Sequence, residues 1–98
     1  MYNVDDARSE TTSSLILFLA GNLISQMSRE NDPPFTTRLS ITGGAQSLKD
    51  NIQSFELTVE GENFSPMWQT YLQDMMAQLV YDLALHQRWL IRVEYKFL

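Results

Sequence analysis

The segment of residues 65–98 constrains the fold most, because a helical pattern passes directly into a strand pattern. Ser65 is a good N-cap, and Pro66 suits the first position of a helix. Apolar residues then recur at the three-and-four spacing of one helix face: Trp68, Tyr71, Leu72, Met75, Met76, Leu79, Val80 and Leu83. After Arg88 the period becomes two, with apolar Trp89, Ile91, Val93, Tyr95 and Phe97 on one side. We therefore expect a helix on one face of a sheet whose other face is polar.

The composition indicates a small acidic globular protein. A chain of 98 residues is expected to form one domain, residues 12–98, after a flexible lead-in of residues 1–11. Twelve acidic against seven basic residues give a formal charge of -5, which disfavours general binding to nucleic acid or to anionic membranes. The longest apolar run, residues 15–20, is too short to span a bilayer. Without cysteine the chain forms no disulfide, which fits a cytoplasmic location.

The remaining patterns predict one more helix and two strands. A helix is expected over residues 12–29, ended by the two prolines at positions 33 and 34. Residues 35–42 and 53–60 alternate as strands, and Gly43-Gly44 is expected to break the first of them. The order α-β-β-α-β predicts an α+β two-layer sandwich, with two helices packed on one face of a three- to four-stranded, mostly antiparallel sheet. Residues 2–4 are the candidate for a fourth strand.

Catalytic and metal-binding patterns are scarce, so we expect a protein that is not an enzyme and that holds no cofactor or metal. His86 is the only histidine, and a structural or solvent-exposed role suits it better than catalysis. The acidic residues do not follow the ligand spacing of a calcium loop. Gly43-Gly44 lacks the lysine and hydroxyl residues of a phosphate-binding loop.

Two surfaces are candidates for protein contacts. The first helix is apolar around much of its girth, and Leu17, Phe18 and Ile24 would form an extra apolar face. The polar face of the strands carries the second candidate set: Arg38, Glu56, Glu60, Arg92, Glu94 and Lys96. The last strand, if it lies at the edge of the sheet, offers free backbone groups to another chain. These features favour a non-enzymatic interaction or assembly protein that forms a homodimer or a larger homo-oligomer.

One topological resemblance and one alternative accompany this hypothesis. The strand of residues 55–59 and the helix-strand unit of residues 68–97 resemble, in their order, small phage tail-terminator and neck proteins, which assemble into rings. The size and acidic charge also fit a small phage-encoded inhibitor that binds a host protein. The alternative is a small-molecule-binding or catalytic α+β domain with a pocket between helices and sheet, formed by Tyr71, Tyr81, His86 and Trp89.

Overall fold

Two helices and three strands make up the part of the chain that is described, residues 4–32 and 34–98 of a computed structural model. In chain order they are α1 (Val4–Arg29), β1 (Thr36–Gln46), β2 (Gln53–Glu62), α2 (Pro66–Gln87) and β3 (Trp89–Phe97). The predicted two-layer α+β fold and its order α-β-β-α-β are confirmed.

The sheet has β2 at its centre and is mixed. β1 pairs with β2 in the antiparallel sense, whereas β3 pairs with β2 in the parallel sense. The expectation of a mostly antiparallel sheet is therefore not met. The reason is that α2 carries the chain back along the sheet, so β3 starts at the same end as β2. Of the candidate fourth strand, residues 2 and 3 lie outside the described part, and Val4 begins α1.

α1 is longer than its sequence pattern predicted. It begins at Val4, so the predicted boundary at residue 12 falls inside the helix. Residues 4–11 contain neither proline nor glycine, and nothing in their sequence interrupts a helix. One stripe of α1 is buried: Thr12, Ile16, Ala20, Ile24 and Met27. Its three-to-four-residue spacing is that of one helix face, which packs on the sheet.

α2 begins and ends at the predicted residues. The Ser65 hydroxyl accepts a hydrogen bond from the Trp68 N–H at 3.4 Å, and Pro66 occupies the first turn. Arg88 ends the helix in the left-handed conformation, and its N–H donates to the Leu83 carbonyl. Because this cap takes a single residue, β3 begins at Trp89 without a loop.

The core lies between the helices and β2. Phe55, Leu57 and Val59 are buried on one face of β2, against Ile16 of α1 and Leu72 and Met76 of α2, among others. Alternation along β2 turns Glu56, Thr58 and Glu60 to the opposite face. That face carries neither helix.

β1 continues through the glycine pair that was expected to end it. The register shifts between Gly43 and Ala45, so a β-bulge takes up the irregularity. Both Gly43 and Gly44 have positive φ, 108° and 104°. A β-carbon at Gly43 would lie 2.5 Å from the Ser54 carbonyl oxygen, so glycine is required for this close approach.

Candidate functional site

The sheet face opposite the helices, here called the open face, carries polar and charged side chains on all three strands, with the exposed apolar Leu90 at one end of β3. It comprises Arg38, Ser40 and Thr42 of β1, Glu56, Thr58 and Glu60 of β2, and Arg92, Glu94 and Lys96 of β3. The six charged residues proposed from the sequence all lie on this face. Sequence alternation alone identified them, because side chains two residues apart share a side of a strand.

Opposite charges face each other across the strands of the open face. The register sets Glu60 between Arg38 and Lys96, and it sets Glu56 between Thr42 and Arg92. In antiparallel sheets such facing pairs are worth at most a few tenths to about 1 kcal/mol, so they define a charge pattern more than they stabilise the fold. With three cations and three anions interleaved, the open face is close to neutral within a protein of formal charge -5. It is therefore suited to a partner of matching charge pattern rather than to a polyanion.

The outer side of β3, here called the β3 edge, is the longest regular edge of the sheet. All nine residues of β3 pair in unbroken register with β2, and no other described strand pairs with β3. The opposite edge belongs to β1, where the bulge at Gly43 disturbs the ladder. Bulges protect an edge from pairing with another chain, so the β3 edge is the better template for an added strand.

Two hydrogen bonds show which backbone groups the β3 edge presents. The Arg88 carbonyl accepts from the Gln53 N–H at 3.1 Å, and the Leu98 N–H donates to the Gly61 carbonyl at 2.9 Å. The N–H and C=O of one residue point to the same side of a strand, and successive residues alternate. Even-numbered residues of β3 therefore bond to β2. The odd-numbered residues from Trp89 to Phe97 turn their backbone groups outward.

The apolar residues proposed on α1 do not form one exposed patch. Ile24 is 3 % exposed and belongs to the core, and Leu17 is partly buried against it. Phe18 is 62 % exposed, and its neighbour Leu15 is 43 % exposed. Much of the apolar surface of α1 is therefore covered within the fold, because both the sheet and α2 contact this helix.

The four residues proposed for a small-molecule pocket are spread along α2 and into β3. Tyr71 lines a cavity of about 140 Å³ with Glu30, Met67 and Trp68. Tyr81 and His86 are exposed. Because 15 residues separate Tyr71 from His86 in one helix, about 22 Å lie between them. The four side chains therefore do not converge on one substrate.

A cluster of aromatic side chains packs at one end of the fold. The sequence analysis did not predict this cluster. Phe35 stacks on Phe64 with ring centroids 4.0 Å apart, and Trp68 meets Phe35 edge-on at 5.3 Å. Phe97 of β3 joins Phe64 at 5.2 Å. The cluster holds both the segment after α1 and the end of β3 in place. No local pattern marks it, because Phe35, Phe64 and Phe97 are far apart in sequence.

Among the described residues, no group of three or more histidine, aspartate or glutamate side chains is placed to hold a metal ion. None of the described helices is both long and apolar enough to cross a membrane. No protein-family model, curated protein or solved structure matches the chain.

Proposed function

We propose that this protein is a non-enzymatic assembly protein that acts through protein–protein contacts made by its sheet, and that it associates with copies of itself. The β3 edge carries the proposal, since the five odd-numbered residues of this regular nine-residue strand turn their backbone groups outward there. Strand addition to such an edge supplies affinity through main-chain hydrogen bonds, and the flanking side chains supply specificity.

The open face supports the same function. Its interleaved charges offer a defined pattern to a partner, and charge complementarity determines register and partner choice more than raw affinity. The spread of Tyr71, Tyr81, His86 and Trp89 along the molecule gives the small-molecule alternative no comparable support.

The element order fits one specific form of this class, whereas the small size and acidic charge fit another. One is an assembly factor of a phage tail or neck, and the other is a small acidic inhibitor that binds a host protein. A cytoplasmic location, as the absence of cysteine favours, belongs to the same proposal.

The solution mass of the purified chain tests the proposal. Light scattering behind size exclusion, over a dilution series at low and high salt, should give a multiple of the 11.3 kDa chain mass. Association should persist at high salt, because backbone hydrogen bonds and apolar contacts are screened less than exposed ion pairs. A mass of one chain at every concentration would contradict self-association.

A further inference from the structure

We infer that two copies join their β3 strands in antiparallel register, with the two Val93 residues facing each other across a two-fold axis. The two three-stranded sheets then become one six-stranded sheet with all four helices on the same face. This inference rests on the proposed function and names its partner and contact.

Backbone geometry is compatible with this register. In the pairing centred on Val93, Ile91 meets Tyr95 of the second copy and Trp89 meets its Phe97. Each of these is an odd-numbered residue, and the odd-numbered residues are those whose N–H and C=O point outward. Because Val93 is the midpoint of β3, the pairing uses the outward backbone groups of the whole strand from Trp89 to Phe97.

Charges on the open face support the same register. Centring on Val93 sets Arg92 against Glu94 of the second copy, and the two-fold axis repeats the pair. Both residues fall at non-hydrogen-bonded positions, where antiparallel side chains approach most closely. Moving the centre by one residue sets Arg92 against Arg92 or Glu94 against Glu94, which repel. Arg92 and Glu94 are exposed in the isolated chain, so both are accessible for these contacts.

The helix-side face also continues across the joint. Val93, Tyr95 and Phe97 pack against the core of one copy but are only partly buried by it. In the six-stranded sheet the apolar residues of one β3 lie beside those of the other. Contact between the copies then removes part of the remaining exposed apolar area from water, which favours association. The bulged β1 edges stay at the outside, so pairing stops at two copies.

Charge reversal tests the register. Arg92→Glu brings two carboxylates together on each side of the two-fold axis, and Glu94→Arg brings two guanidinium groups together there. Each variant should therefore weaken the dimer by about tenfold. The double variant restores opposite charges across the joint and should dimerise nearly as well as the unchanged chain. Lys49→Glu reverses an exposed charge in the turn between β1 and β2, outside both the open face and the β3 edge. It is the matched control and should leave the dimer dissociation constant unchanged. Circular dichroism confirms that each variant is folded.

Within one chain the double variant does not rebuild the pattern of the open face. Residue 92 lies opposite Glu56, whereas residue 94 lies opposite Thr58. Rescue by the double variant therefore reports contacts between copies. If the unchanged chain associates but the single variants do not weaken it, or the double variant does not restore it, this register is wrong while the assembly function stands. A monomeric unchanged chain overturns both.

Discussion

Gly61 lies directly against the ring of Phe64, so that a β-carbon at residue 61 would be 2.5 Å from Phe64 Cε2. The ring cannot easily yield, because it is stacked on Phe35 in the aromatic cluster. We predict that Gly61→Ala lowers the free energy of unfolding by about 1–3 kcal/mol, the usual cost of overpacking. Urea denaturation measures this change.

Gly21→Ala is the matched control for that substitution. Gly21 is inside α1, and a β-carbon there would meet Leu39 Cδ1 at an ordinary contact distance of 3.9 Å. Alanine has the higher helix propensity, so we expect a gain of about 0.5–1 kcal/mol. Equal destabilisation by the two glycine substitutions would contradict the packing described at Phe64.

Leu72 and Leu85 test which side of α2 faces the core. Leu72 is fully buried, whereas Leu85 is 62 % exposed on the same helix. Leu72→Ala should lower the free energy of unfolding by about 2–5 kcal/mol because it leaves a cavity. Leu85→Ala should change it by less than about 0.5 kcal/mol. Chemical denaturation of both variants provides the comparison, and similar losses would show that α2 is rotated on the sheet.

Tyr95 links stability to alkaline pH. Burial raises the pKa of its phenol above the ordinary value of 10.0. The unfolded chain then loses this proton at a lower pH than the folded chain, so stability is full below about pH 10 and falls as pH rises through the folded pKa. Tyr95→Phe removes this contribution, so its free energy of unfolding should fall less steeply above about pH 10. Identical slopes for the two proteins would refute the assignment.

Phe18→Asp distinguishes association through α1 from association through the β3 edge. The side chain is 62 % exposed on α1, and the proposed contact lies on β3. We expect the variant to keep both its fold and its dimer mass by light scattering. Loss of the dimer in a folded Phe18→Asp variant would move the contact surface to α1.

Local signals in the sequence predicted α2 and β3 closely. The Ser65 cap, Pro66 and the change of period after Arg88 act within a few residues, and the structure has these boundaries. The predicted end of β1 at Gly43 was wrong, because positive φ at two glycines makes a bulge as readily as a strand end. The sequence of β1 alone does not show whether the glycine pair ends the strand or forms a bulge, because this depends on its pairing with β2.

Non-local features could not be predicted in the same way. The parallel pairing of β3 with β2 depends on the crossover through α2, which periodicity does not report. Ile24 was proposed for a contact surface, but it is in the core because two neighbours share the girth of α1. Alternation in the sequence identified the charged residues of the open face. Which of them face each other depends on the strand register, which only the structure gives. The sequence shows Arg92 and Glu94 on either side of Val93. This arrangement suggests a two-fold contact only once the structure places β3 at the edge of the sheet.

Cysteine cross-linking at Val93 tests the central claim most directly. The chain has no cysteine, so Val93→Cys supplies one thiol per copy. Hydrogen-bonded antiparallel residues have Cα atoms about 5.5 Å apart, within the range that a disulfide spans. Under mild oxidation the Val93→Cys dimer should form at least about tenfold faster than a Ser40→Cys dimer on β1, because pairing raises the effective thiol concentration. Equal rates, or faster linkage through Ser40→Cys, would contradict association through the β3 edge.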